Sequence, residues 1–400
     1  MRTQFNLFDW ALWLAAGLLA AVLASCGGGG VAGVGSGGTG TVVADAVTVG
    51  TITGFGSVIV NGERYDDSAA SISDEDGAKN RSDLKLGMVV RVQSSVNGSG
   101  SATANSIAFG SELLGPVSAV GVGTGSGSTS FTIIGQQVLT DASTVFDSSL
   151  AQGAASIQTG QLLEVHGFLN PANNTLQATL VERKSATSLY KLSGLVQQLQ
   201  AASKTFQIGN EVISFANVAA VDLPTGLANG LLVKLRLTPQ APSAGVPWQL
   251  TRAREGKTSN ADVDKFELEG LITELTSSSQ FRLGTQLVDA RNASFPSGAS
   301  TLALGSRVEV KGALQNGVLV ATQVKTNKPS DKRIDLLGLV SNVNPSAKTF
   351  SVSGVTVSYS AAQFDNGSAA QLINGAQVEV RGRPGANSFV INAEHIKFKN

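Results

Sequence analysis

The sequence predicts an all-β protein built as five tandem small antiparallel β-barrels, OB-like in Greek-key order, behind an N-terminal apolar segment and a glycine-rich tether. Three observations point there. Short segments rich in Val, Ile, Leu and Phe are bounded by Gly, Asn, Ser or Pro, and several alternate with period two, which is the pattern of strands. Three such strand signatures recur in the same order five times. Hydrophobic residues at 42% suffice for packed cores, while 46 glycines in 400 residues and only 14% charged residues imply many turns.

Residues 1–25 open with Arg2 and an apolar run from Trp10 to Ala24, too short for the ~20 residues a spanning helix needs. The run ends in Leu23-Ala24-Ser25-Cys26, followed at once by Gly27 to Gly30, through which no helix continues. This resembles the lipobox of bacterial lipoproteins. The resemblance implies cleavage before Cys26, acylation of its sulfur and its new amine, and, with Gly27 rather than Asp next, sorting to the outer membrane. Residues 26–45 form the lipidated Cys and a Gly-rich tether. Two Gly-x-Gly-x-x-Gly matches lie there, but neither follows a strand nor opens a helix, so dinucleotide binding is not expected.

The repeats are read as residues 46–110, 111–185, 189–255, 265–327 and 334–400. Each opens on a Gly-led strand, as at Gly50, Gly115, Gly194, Gly270 and Gly338, at intervals of about 65, 79, 76 and 68 residues. A Phe-x-aliphatic strand follows at Phe131, Phe206, Phe281 and Phe350, for which the first copy substitutes Val58-Ile59-Val60. An alternating strand such as Val308-Glu309-Val310-Lys311 comes next, and a closing strand ends the copy. Alternation makes a one-sided sheet, and closure removes its exposed edges. Three strands, an Ala/Ser/Gln-rich connection able to hold one short helix, and two more strands give the OB-type order with about five to seven strands, a small sandwich being the alternative.

In segments such as Thr53-Gly54-Phe55-Gly56-Ser57-Val58-Ile59-Val60-Asn61-Gly62 and Leu86-Gly87-Met88-Val89-Val90-Arg91-Val92, the repeats resemble a family of small bacterial domains known only as of unknown function, found singly or in tandem behind lipoprotein signals. The first copy carries the resemblance best. The third departs most, with Leu237-Thr238-Pro239 where others have Gly. The family brings no catalytic residues with it.

The chemistry-bearing residues are few. Twenty-nine basic and 29 acidic residues cancel, so no general attraction for nucleic acid or acidic substrates exists, and Cys26 as the sole cysteine rules out an intrachain disulfide and Cys-based zinc clusters. His166 occupies a position filled elsewhere by Gln93, Arg236, Lys311 and Arg381, which reads as a solvated face of a strand; His395 lies far away. Asp74, Asp76 and Asp83 form an acidic stretch that fails the EF-hand spacing and reads as a solvated loop rather than a calcium site. Tyr65, Tyr190, Trp248 and Tyr359 are conceivable sugar-stacking groups and read better as packing. No Gly-x-Ser-x-Gly elbow occurs.

No catalytic residue, metal or cofactor is therefore expected, and no ligand-binding residues are assigned. The expected function is that of an outer-membrane-anchored lipoprotein, held through Cys26 and facing the periplasm or cell surface. Its repeats would form an extended, non-catalytic binding or scaffolding arm for an envelope protein or glycan. The alternative is a cell-envelope enzyme acting on glycan from one divergent repeat. The polar run Glu255 to Lys265 is expected to be the hinge of the arm, and Lys325 to Arg333 a second loose connector.

Overall fold

Each repeat folds as a ring of five strands whose pairing the sequence order largely dictates. The computed structural model describes residues 46–96, 102–122, 128–241, 243, 245–256, 262–385 and 390–399. Cys26, the tether and residues 257–261 of the expected hinge lie outside the described residues.

In repeat 1 the five strands are Ala46–Phe55, Val58–Val60, Glu63–Asp66, Val89–Val96 and Ala102–Phe109. The first three pair antiparallel in sequence, the third lies parallel to the fifth, the fifth pairs with the fourth, and the fourth closes on the first. The same circuit recurs in repeat 2, from Leu113–Val122 to Thr175–Arg183. Repeat 4 repeats it from Val263–Ser277 to Val318–Thr326, and repeat 5 from Ile334–Asn344 to Val390–Phe398.

Repeat 3 also closes, although its fourth strand lacks the glycine that those of repeats 2, 4 and 5 carry. Leu232–Leu237 pairs with both Tyr190–Leu195 and Trp248–Glu255. The helix expected in the long connection shrinks to a single 3₁₀ turn, as at Gly153–Ser156 and Ala369–Gln371. Such short Gly- and Ser-rich segments cannot offset the cost of nucleating an α-helix.

Inward-facing residues fill each ring. Phe131, Phe206, Phe281 and Phe350 stand at the same position of the second strand, and none is more than 1% exposed. Burying one such ring contributes roughly 1.5–3 kcal/mol. A bulge in every fourth strand falls where the ring must bend. In repeats 2, 4 and 5 it sits at Gly167, Gly312 and Gly382, where a Cβ would lie 2.0–2.3 Å from a carbonyl of the fifth strand.

The rings are not beads on a string. The first strand of repeat 1 runs parallel to that of repeat 4 through Val47–Phe266 to Val49–Leu268, and parallel to that of repeat 5 through Gly54–Asp335 and Phe55–Leu336. The first strands of repeats 2 and 3 pair antiparallel at Leu113–Leu192. Gly54 permits the contact with repeat 5, because a Cβ there would lie 2.1 Å from the Asp335 carbonyl. Repeats 1 and 5 share one hydrophobic core and repeats 2 and 3 another, while Val47 of repeat 1 enters the core of repeat 4. Residues 44–400 accordingly cluster as one compact unit, which replaces the expected extended arm.

Candidate functional site at the junction of the barrels

Residues on the outer face of a barrel strand normally meet water, and alternation puts the charges there. Once the barrels pack side by side, the outer faces of first, fourth and fifth strands become internal. Thr51, His166, Glu182, Ser193, Glu267, Glu269 and Glu309 are all buried at such positions. Their charges must be paired, since an isolated buried charge costs several kcal/mol.

The first cluster joins repeats 1, 2 and 4. Glu269 Oε2 accepts hydrogen bonds from the Thr51 amide at 3.0 Å and the Thr51 hydroxyl at 2.9 Å. Arg307 donates from Nε to Glu269 Oε1 at 2.7 Å, from Nη2 to Thr51 Oγ1 at 2.7 Å and from Nη1 to Ser143 Oγ at 3.3 Å. Its guanidinium also lies 5.0 Å from the centroid of the Phe168 ring. Burial pushes the Glu269 carboxyl up, but Arg307 and Thr51 outweigh it and hold the group below its ordinary value.

The second cluster lies between repeats 1, 2 and 3. His166 is 2% exposed, which corrects the solvated reading of its position: the outer face of barrel 2 is covered by repeat 1. Its Nδ1 donates to the Gly110 carbonyl at 3.1 Å, and its Nε2 stands 3.6 Å from Glu182 without a hydrogen-bond partner. Glu164 is held by Lys184 at 2.7 Å, Lys191 at 3.4 Å and the Ser111 hydroxyl at 2.6 Å, and Glu182 by Lys85 and Lys184. Glu164, His166 and Glu182 present ligand atoms within 4.8 Å of one another, the donor set of a divalent-cation site. Three ammonium groups already neutralise both carboxylates, however, so a cation would have to displace them. The cluster fits a structural ion-pair network better than a metal.

Burial pushes the Glu164 and Glu182 carboxyls up, yet His166 and the lysines outweigh it and bring both down to about 2. A depressed carboxyl stabilises the fold above the ordinary value of 4.5, and that stabilisation is lost as pH falls through about 2. Thermal unfolding followed between pH 6 and 2 is therefore expected to show a melting temperature that drops below pH ~4.5. Glu182→Gln should flatten that profile. An equally steep fall in the variant would remove this pair as its cause.

The remaining candidates separate. Asp74 pairs with Lys79 at 3.1 Å, Asp76 pairs with Arg236 of repeat 3, and Asp83 accepts from the Asn80 amide at 2.8 Å, so the three do not converge on a cation. Arg236 here joins repeat 3 to the hairpin of Ser71–Asp74 and Gly77–Ala78. Tyr65 is buried with its hydroxyl 2.7 Å from Thr48, and Trp248 is buried and donates to Glu211 at 2.7 Å. Tyr190 packs edge-on against Trp248, and Tyr359 packs between Phe350 and Phe364. All four aromatics are packing groups.

Three segments, residues 115–182, 269–325 and 338–397, match the family described as Domain of unknown function (DUF5666). The three matches lie in tandem along the chain. The DUF5666 segments fall on repeats 2, 4 and 5, the three with a glycine at the fourth-strand bulge. Repeat 1, expected to carry the resemblance best, lies outside them: it has the added hairpin, Ser94 after its bulge and no second-strand Phe. No curated protein matches the chain in sequence. Among solved structures it is similar to drosophila Unr CSD456 at 13% identity, over 54% of this chain and 98% of that one, with a TM-score of 0.14.

Proposed function

We propose that this protein is an outer-membrane lipoprotein, anchored through acylated Cys26, whose joined barrels form a non-catalytic binding or scaffolding module for an envelope protein or glycan. The observation that carries the non-catalytic part is where the charged groups go. The half-buried Glu164 and the buried Glu182 are held across barrel junctions by Lys191 and Lys85, while Glu269, paired with Arg307 inside repeat 4, accepts a hydrogen bond from Thr51 of repeat 1. Charges committed in this way to joining the barrels serve rigidity. A rigid body on an acylated tether suits presentation of a surface to a partner.

The anchor rests on Leu23-Ala24-Ser25-Cys26 and the short apolar run before it. Cys26→Ser should abolish labelling by radioactive fatty acid and move the protein out of the outer-membrane fraction. Retention of the variant in that fraction through high-salt washing would show that Cys26 is not the anchor.

A further inference from the structure

The connector from Lys325 to Arg333, expected to be loose, is folded. Its Pro329–Asp331 turn is a 3₁₀ segment, and the Lys332 amine donates to the Ser143 carbonyl of repeat 2 at 2.9 Å. Beside it opens a cavity of about 210 Å³ lined from repeats 1, 2, 4 and 5 and by this connector. At ~30 Å³ for each water, it has room for roughly seven waters or one small ligand.

The charges around the cavity are unevenly partnered. Its acids are taken: Glu269 by Arg307 at 2.7 Å, Glu309 by Lys311 at 3.5 Å, Asp335 by Arg381 at 3.0 Å, and Asp331 is itself engaged. Lys325, Lys328, Lys332 and Arg333 also line it, and none of these four forms an ion pair among the described residues. Lys332 is the partly buried one, and a carbonyl dipole is its only hydrogen-bond partner there. An ammonium held inside a protein without a counter-anion is costly. Burial first, and then the positive charge of Arg307, push the Lys332 amine down to about 7 against the pull of Glu269 and Asp141.

We propose that this cavity is an anion site for a single phosphate group, with Lys332 at its base and Lys325, Lys328 and Arg333 at its mouth. Phosphate carries up to two charges and several acceptor oxygens, which suits a cluster of lysines with one arginine fork better than a singly charged carboxylate would. The proposal does not depend on the anchoring through Cys26. A free phosphate and a phosphomonoester lipid headgroup share the chemistry, and the experiment separates them.

Full-length protein in detergent is titrated with inorganic phosphate at constant ionic strength, by calorimetry at pH 6.5 and pH 8.5. Saturable one-to-one binding is expected, with proton uptake on Lys332 favouring pH 6.5 and the second ionisation of phosphate favouring pH 8.5. Lys332→Met should weaken it at least tenfold and shift the pH preference toward pH 8.5, where only the ionisation of phosphate remains. Lys325→Gln/Arg333→Gln, at exposed positions that do not endanger folding, should weaken it several-fold, and Lys204→Gln in repeat 3 should leave it unchanged. In a parallel arm, the protein is mixed with phosphatidic acid vesicles and with phosphatidylcholine vesicles. Release of prebound phosphate by phosphatidic acid alone identifies the headgroup as a ligand of the same site, and no release identifies the free anion. Non-saturable binding, or equal affinity in the Lys325→Gln/Arg333→Gln variant and the parent, overturns the proposal.

Discussion

Val310→Asp should unfold repeat 4 and loosen the start of repeat 1 with it. Val310 is fully buried in the fourth strand of repeat 4, in the same core as Ile272, Phe281, Leu319 and Val324. A carboxylate there finds no cation on the inner face of the ring, and an unpaired buried charge costs on the order of 4 kcal/mol or more, close to the whole stability of a small domain. Independent barrels would confine the damage to residues 263–326. The parallel pairing of Val47, Thr48 and Val49 with Phe266, Glu267 and Leu268 predicts otherwise, as does the burial of Val47 in that core. Hydrogen exchange read by mass spectrometry should show lost protection across repeat 4 and along 46–49, with the second-strand core around Phe206 in repeat 3 still protected. Unchanged protection at 46–49 would mean that the repeats fold as separate beads.

The contrast between what was legible in the sequence and what was not has one physical origin. A barrel is made by neighbours in the chain: a Gly-led strand, a Phe-x-aliphatic strand and an alternating strand each leave a local pattern, so the tandem repeat of an all-β unit could be read directly. The contacts between barrels are made by the backbone edges of first strands and by residues on outer faces. Outward charges on a strand look the same whether water or another barrel covers them. His166 departs from its expected solvated position for this reason: the interchange of His, Gln, Lys and Arg there marks an outward face, and outward from barrel 2 is the shared face with repeat 1. A signal was nonetheless present in Gly54, which lies inside a strand where no turn needs it, and beside it in Gly56, which at φ 118° also makes the turn to the second strand. Their added Cβ atoms would strike the Asp335 carbonyl and the Leu337 side chain of repeat 5. The aromatic residues went the other way. Tyr65 and Trp248 read as packing in the sequence, and packing is what they do. Lys332 gave no warning, because a lysine in a polar connector is the most ordinary of surface residues until Ser143 of another repeat closes over it.

Arg307→Met should cost about 3–5 kcal/mol, because it removes one partner of a buried pair and strands the other. Glu269 is 5% exposed, and with Arg307 gone it keeps the Thr51 amide and hydroxyl and a long contact from Asn327 at 3.4 Å, but no ion-pair partner. Burial then acts on its carboxyl unopposed by the guanidinium and raises it above the ordinary 4.5. A raised carboxyl stabilises only at low pH, so the variant should lose stability as pH rises from about 4.5 through the new value, whereas in the parent the contribution of Glu269 is fully present above about 4.5 and is lost only as pH falls below it. Adding Glu269→Gln should recover much of the loss at neutral pH: the charge disappears while an amide oxygen can still accept from Thr51. Denaturant unfolding of the parent, both single variants and the double variant gives the coupling between the two side chains. A coupling below about 0.5 kcal/mol, the usual additivity limit, would show that the junction of repeats 1, 2 and 4 is held by its strand pairing and apolar contacts alone. A large coupling would place the specificity of barrel docking in this pair, since no other register of the two first strands would bring Thr51 beneath Glu269 and Ser143 beside Arg307.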